Sequence, residues 1–444
     1  MDQNDTLVTK AMVRITGIDA QVTALSRLSG GANMESSSFD FAGRGFVLRR
    51  APSAEMMANR PFGHTVEAAI IRAACAAGVK APVIVGELEA HDGLGTGYIM
   101  ERIEAEVNPA KILAEPPPSL IGDLARELAR THAIPVSALP ALPVMNTADA
   151  LAELKTRFMA YGGDRPIIAL AIKWCEDHLP EPAPLALVHG DLRMGNVMVD
   201  GHGLAAVLDW ELAHLGDAHE DLAYGCMTVW RFGHIDKPAF GCSSLETYFA
   251  AYEAAGGIAV DRTRFRFWLI YRTLWWALGC IQMGDIWRTG IDRTLERAVI
   301  GRRTSENETD LLLLLEEDAP ETQRLAIRLD PPAEPRRQGE PSAVELLEAV
   351  RDWVASDIKA RAQGRDKFMA AVAMNALGML IREASHPVAL YDKPLCDDIL
   401  AGRLTLATPG LLAKLRKMTL AKLANDVPKY ATLAKAREVW GAGG

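Results

Sequence analysis

Val188-His189-Gly190-Asp191-Leu192-Arg193-Met194-Gly195-Asn196, followed by Leu208-Asp209-Trp210-Glu211, is the stretch on which the reading of this chain turns. The order H-x-D-x-x-x-x-N with a second Asp beyond it combines a carboxylate able to take a proton from an attacking hydroxyl with oxygen donors suited to Mg²⁺. Those are the residue types that phosphoryl transfer requires. Asp191 is the candidate base, and Asn196 and Asp209 are the candidate metal ligands. Leu185 to Val188, Val197 to Val199 and Leu204 to Leu208 read as three short strands. Asp200-Gly201-His202-Gly203 marks a reversal between the last two, which carries Asp209 back alongside Asn196.

Upstream, Gly30-Gly31-Ala32-Asn33 precedes Ser36-Ser37-Ser38-Phe39, and small residues there let backbone N–H groups approach phosphate oxygens. A Gly-Gly pair is by itself more often a plain turn. Gly45-Phe46-Val47-Leu48-Arg49-Arg50 reads as a strand ending in cations, and Val66 to Cys75 as a helix ending near Gly78. Val83 to Leu88 and Tyr98 to Met100, on either side of His91-Asp92-Gly93, read as two further strands.

These elements together resemble the aminoglycoside phosphotransferase-like family of small-molecule kinases, distant relatives of protein kinases, over roughly residues 20 to 315. His189-Gly190-Asp191 through Asn196 is similar to that family's catalytic loop, and Leu208-Asp209-Trp210-Glu211 stands where protein kinases have Asp-Phe-Gly. Arg193, Asp209-Trp210-Glu211-Leu212-Ala213 and Gly216-Asp217 through Asp221-Leu222 resemble the branch found with acyl-CoA dehydrogenases, whose members phosphorylate hydroxyacyl-CoA. Ala218 departs from the proline usual after Gly-Asp. The resemblance implies an α+β, bilobal protein-kinase-like fold, with a five-stranded antiparallel N-lobe at 1–103 and a mainly helical C-lobe at 104–317. It implies ATP and Mg²⁺ as cofactors and Arg193 as a catalytic residue beside the base. Nucleotide binding would fall to Gly30, Gly31, Ala32 and Asn33, to Arg49 in the place of the kinase lysine, and to Glu67 as its acidic partner. Met100-Glu101-Arg102-Ile103 would be the hinge, with Met100 and Arg102 meeting the adenine.

Composition narrows the partners. A length of 444 residues and a hydrophobic fraction of 49% allow two or three domains. The cysteines Cys75, Cys175, Cys226, Cys242, Cys280 and Cys396 form no Cys-x-x-Cys pair, so neither a zinc site nor a disulfide framework is indicated. With the opening Met1-Asp2-Gln3-Asn4-Asp5 lacking a charged-then-apolar leader, a cytoplasmic location is expected. A net charge of −9 without long Lys/Arg runs argues against nucleic acid. The expected partner is a small-molecule hydroxyl acceptor: a hydroxyacyl-CoA, or alternatively an aminoglycoside or another hydroxylated metabolite.

Helical periodicity follows the hinge: Leu120, Ile121, Leu124 and Leu128, then Ile167 to His178, then a helix opened by the capping box-like Ser243-Ser244-Leu245-Glu246 and stopped at Gly256-Gly257. Phe267 to Met283 is strongly apolar, but Arg266 and Arg272 leave too short an uncharged run for a membrane span. Its Trp268, Tyr271, Trp275 and Trp276 fit a core helix. The segment 318–341, with Asp330-Pro331-Pro332-Ala333-Glu334-Pro335, reads as a linker, and 342–444 as a separate helical domain serving stability or a homodimer. The competing reading, a nucleotide-binding scaffold without catalysis, rests on Arg49 in the lysine position.

Overall fold

The computed structural model describes residues 3–28, 34–51, 57, 60–328, 341–389 and 391–441. Its contacts divide into two compact units, Met1–Asn146 with Glu181–Phe265, and Thr147–Pro180 with Arg266–Gly444.

The first unit opens with a helix that the sequence reading did not anticipate, α1 (Gln3–Thr16), and continues into β1 (Val22–Arg27), β2 (Glu35–Phe41), β3 (Arg44–Ala51), α2 (His64–Ala76), β4 (Ile84–Glu87) and β5 (Thr96–Glu101). The five strands form one antiparallel sheet in the order β1-β2-β3-β5-β4. Side chains alternate across a strand, so β3 sends Phe46 and Leu48 to one face and Val47 and Arg49 to the other. Phe46 and Leu48 join Phe39, Phe41 and Ile99 in a core that α1 closes with Val8, Ala11 and Met12. Arg14 ties α1 down through Asp92 (2.6 Å) and the Glu87 carbonyl (2.9 Å). Arg49 lies opposite Tyr98 in the β3–β5 register. Gly97 is needed beside that pair, because a Cβ there would stand 2.3 Å from the Arg49 carbonyl oxygen.

After β5 come α3 (Pro109–Ala114), α4 (Leu120–His132), then α5 (Thr147–Ala160) and α6 (Pro166–Asp177) of the second unit. The first unit resumes with β6 (Ala186–Val188), β7 (Val197–Asp200), β8 (Gly203–Val207), β9 (His214–Gly216), α7 (Ala218–Tyr224) and α8 (Leu245–Ala254). The expected reversal is present, with β7 pairing antiparallel to β8 and the Asp200 carboxylate accepting from the His202 amide. β9, unanticipated, pairs with β6. At α8 the capping differs from the expected box: Ser244 accepts from the Thr247 amide, and position 247 carries a hydroxyl where a box needs Glu or Gln.

The chain then forms α9 (Arg262–Arg288), α10 (Leu295–Arg302), α11 (Thr304–Leu315), α12 (Ala343–Trp353), a π-turn at Val354–Lys359, α13 (Gly364–Ser385), α14 (Lys393–Leu400), α15 (Leu411–Asp426) and α16 (Ala431–Trp440). α14 and α16 were not anticipated. Trp268 and Tyr271 on α9 are buried, and Arg272 lies 4.2 Å from the ring centroid of Trp275. No helix among the described residues is long and apolar enough to cross a membrane.

In the second unit, α6 packs against α14, and α11 against α15 and α16. Buried Arg416 donates to Glu316 (2.9 Å), which also accepts from the Trp440 indole (2.8 Å), while Asp310 accepts from Tyr430 and Thr432. These anchors tie α11 to the carboxy-terminal helices, and the compact unit also takes in α5, α6, α10 and most of α9, whereas sequence composition suggested a boundary at 318–341. The first part of that stretch is packed: Ile327 is buried and its amide donates to the Trp440 carbonyl (3.1 Å). Residues 329–340 lie outside the described residues.

Candidate active site

Asp191 sits in the loop between β6 and β7, where Gly190 has φ 79° and a Cβ would come 2.6 Å from the Leu212 carbonyl oxygen. Only glycine suits both the conformation and the approach. The Asn196 amide donates to the Asp191 carboxylate (2.6 Å) and to its carbonyl (2.9 Å). Arg193 donates to the other carboxylate oxygen at 3.1 Å and stacks over Trp230, 4.5 Å from the ring centroid. The Asp191 carboxylate is therefore oriented by two neighbours, one of which is a candidate metal ligand with its amide oxygen uncommitted to Asp191.

The loop is held from below. Asp221, on α7, accepts from the His189 amide (2.7 Å) and the Gly190 amide (2.9 Å), and its carboxylate also meets His132 (3.2 Å), which bonds Tyr252. Burial alone would raise the Asp221 carboxyl, but the His132 hydrogen bond and charge and the Gly190 amide hold it below the ordinary carboxylate range. Burial pushes His189 down, and its Nε2 lies 3.1 Å from the Leu208 carbonyl. The Leu208 amide in turn donates to the Asn196 carbonyl (2.8 Å), so the hairpin brings Asp209 back beside Asn196 as its turn required.

Asp209 has φ 67°, the left-handed region that a non-glycine residue enters at a cost of about 1–3 kcal/mol. Its carboxylate accepts from Arg49 at 2.6 Å. Arg49 also donates to Glu211 (2.8 Å), and its Nε lies 3.6 Å from Glu67. Arg60 bonds Glu211 at 2.5 Å and reaches Glu67 at 4.0 Å. Tyr98 donates to Glu67 at 3.0 Å. Burial pushes the Glu67 carboxyl up against the pull of Arg49, and it raises Glu211 with help from Asp209. Arg49, despite its burial, is held firmly protonated by Asp209, Tyr98, Glu67 and Glu211.

Arg49 and Glu67 thus meet, but the Arg49 hydrogen bonds go to Asp209 and Glu211. Met100 lies within β5, opposite Val47. The Arg102 amide donates to the Gly45 carbonyl (3.0 Å) and its side chain pairs with Asp40 and Glu104, so its amide is committed within the lobe and not to a nucleotide. Gly30, Gly31, Ala32 and Asn33 lie outside the described residues. Arg60, His132 and Trp230 were not singled out from sequence, and Asp221 was named only as part of a motif, without a role.

Among the described residues no group of three or more His, Cys, Asp or Glu side chains is arranged to hold a metal ion. A Mg²⁺ carried by phosphates needs fewer protein ligands, one or two carboxylates being usual. Three carboxylates, Glu67, Asp209 and Glu211, face two guanidinium groups here, and the Asn196 and Asp209 oxygens are hard donors, so the donor chemistry fits that ion.

The phosphotransferase enzyme family matches residues 25–268, more than half of the chain. The chain belongs to that family. Half of this phosphotransferase aligns, over 248 positions at 28% identity, with acyl-CoA dehydrogenase family member 10 of Mus musculus, of which the match covers 23%. The phosphotransferase therefore spans about a quarter of that relative's length. A Ralstonia eutropha structure assigned as an aminoglycoside phosphotransferase shares the fold at a TM-score of 0.55 and 21% identity, covering 70% of this chain and 98% of the other. A thermostable variant of an aminoglycoside phosphotransferase, in complex with AMP-PNP and hygromycin B, aligns at 20% identity over 69% of this chain and 98% of its own, with a TM-score of 0.48.

Proposed function

We propose that this small-molecule phosphotransferase uses ATP and Mg²⁺ to phosphorylate a hydroxyl group, and that its acceptor is a hydroxyacyl-CoA. The observation that carries the reading is the Asp191 carboxylate, hydrogen-bonded by Arg193 on one oxygen and Asn196 on the other. A carboxylate so oriented can align an acceptor hydroxyl and take its proton as the phosphorus–oxygen bond forms. Arg193 and Trp230 hold the carboxylate in one rotamer, and Asp221 fixes the backbone beneath it. Asn196 and Asp209 would hold Mg²⁺, which when bound supplies charge compensation for the phosphoryl oxygens. Arg49, steered by Glu67 and Glu211, would grip phosphate oxygens as a planar fork in place of a lysine point charge. Glu67 is buried and faces Arg49, which supports a working nucleotide site over a scaffold that has lost it.

The acceptor class rests on the likeness to acyl-CoA dehydrogenase family member 10 and on the Asp209-Trp210-Glu211 motif. A phosphotransferase partnered with acyl-CoA chemistry has a hydroxyacyl thioester as its natural acceptor. ATP consumption measured with hydroxyacyl-CoAs, sugars and aminoglycosides, with and without Mg²⁺, tests the reading. Turnover confined to hydroxyacyl-CoAs and dependent on Mg²⁺ is expected; turnover with an aminoglycoside alone would replace the acceptor, and none with any acceptor would favour the scaffold.

A further inference from the structure

Helices α12 and α13 carry more apolar surface than the second unit covers. On α12, Leu346, Val350 and Trp353 recur at the spacing of one helix face and are 56%, 46% and 55% exposed. No residue of this helix is buried. α13 is apolar from Phe368 to Ile381 with Asn375 its single polar residue, a composition that goes with burial on all sides. Yet only Ala370, Gly378, Met379 and Ile381 are buried, while Phe368 is 55% and Leu380 45% exposed.

α12 packs on α13 and on the π-turn that follows it, so the pair resembles half of a four-helix bundle. A half-exposed aromatic side chain leaves about 100 Å² uncovered. Leu346, Val350, Trp353, Phe368 and Leu380 together leave on the order of 400 Å², which matches the apolar part of an interface burying about 800 Å² per partner.

The flanking charges select the occupant. Residues 343–367 carry five acidic and five basic side chains. They are interleaved, with Arg351 beside Asp352 on α12 and Asp366 between Arg365 and Lys367 at the start of α13, and Arg361 and Arg365 pair within the chain with Asp357 (2.9 Å) and Glu296 (3.3 Å). An anionic membrane attracts a basic rim, whereas this one is neutral. A second copy related by a twofold axis presents the same apolar stripe inside the same neutral rim, so the face is self-complementary without like-charge repulsion.

We propose that the α12–α13 face is the interface of a homodimer, two hairpins closing a four-helix bundle across a twofold axis. The mass of the full chain in solution, followed by sedimentation from nanomolar to tens of micromolar, should show a monomer–dimer equilibrium. Trp353→Glu and, independently, Phe368→Glu should each raise the dissociation constant by about 30-fold or more, the scale of a buried anchor, with an unchanged helical circular dichroism spectrum. A wild-type chain that stays monomeric throughout, or folded variants that dimerise as tightly as wild type, overturn the proposal. So does co-sedimentation of a monomeric wild type with phosphatidylserine vesicles that Trp353→Glu abolishes, since that outcome assigns the face to a membrane. None of these readings depends on the phosphoryl acceptor.

Discussion

The two aspartates of the catalytic stretch lie in opposite company. Asp191 has one guanidinium and one neutral amide on its carboxylate. Asp209 shares two guanidinium groups with Glu67 and Glu211 in a cluster that holds more carboxylates than cations. A group that must take up a proton is best held by few partners, because each added cation weakens it as a base. A group that must receive a divalent cation profits from uncompensated negative charge nearby. The difference matches the division of labour proposed above between acceptor activation and metal binding, and substitutions at the two ends should therefore fail differently.

The largest effect is expected at the Asp191 end. Asp191→Asn should lower turnover by about 10²- to 10⁴-fold, the usual share of a positioned base, while ATP affinity measured by calorimetry stays close to wild type. Turnover above about a tenth of wild type would remove Asp191 from the role of base.

At the other end, Asp209→Ala should leave chemistry and metal binding impaired together. Calorimetric titration of ATP with and without Mg²⁺ reads this directly: the metal should tighten ATP binding in the wild type and no longer do so in the variant. Equal tightening in both would show that the β7–β8 hairpin brings a structural carboxylate, not a ligand, beside Asn196.

How much of this was legible in the sequence depends on distance along the chain. Asp191, Asn196 and Asp209 are brought together by a loop and a two-stranded hairpin, whose turn residues are local signals. Of the five-stranded sheet, β3, β4 and β5 were legible because alternation and turn residues are also local, whereas β1 and β2 entered only through the family resemblance. Arg60 was not, because its partners Glu211 and Glu67 come from other elements and nothing in its own neighbourhood sets it apart from a solvated cation. His132 is a similar case: at the end of α4 it reads as a favourable helix-terminal cation, yet it is the side-chain partner of Asp221. α1 did have a signal, Leu7, Val8, Ala11, Met12 and Ile15 at helical spacing, and it closes the sheet core. The packing of 319–327 against α15 and α16 had none, since proline-rich composition describes a segment's own stiffness and not what it lies upon.

A smaller effect sharpens the Asp209 side of the comparison. Arg49 spends its hydrogen bonds on Asp209 and Glu211 and only approaches Glu67, so Arg49→Ala should couple more strongly to Glu211→Gln than to Glu67→Ala. In double-mutant cycles on ATP affinity, contacting residues of one network show coupling of about 0.5–3 kcal/mol. Arg49→Ala should also weaken ATP more than adenosine, because the lost fork meets phosphate. Equal losses for the two ligands would place Arg49 in a structural role.

The smallest effect should appear in stability and not in rate, beneath the Asp191 end. Asp221 is buried, and its carboxyl is held below the ordinary value by His132 and the Gly190 amide against the upward push of burial. A carboxyl depressed in the folded state stabilises the fold fully above its unfolded value of about 4 and loses that contribution as pH falls through the lower folded value. Acid should therefore erode stability below about pH 4, where the unfolded chain takes up a proton that folded Asp221 resists. Asp221→Asn keeps the shape but cannot accept from both backbone amides and His132 as a charge. It should cost about 1–3 kcal/mol near neutral pH and flatten the slope of stability against pH in the acid range. Urea unfolding of both proteins between neutral pH and the acid limit of folding measures the slope. Parallel curves would mean that Asp221 titrates alike in the folded and unfolded chain, and the support beneath the catalytic loop would then rest on backbone geometry and not on that buried charge.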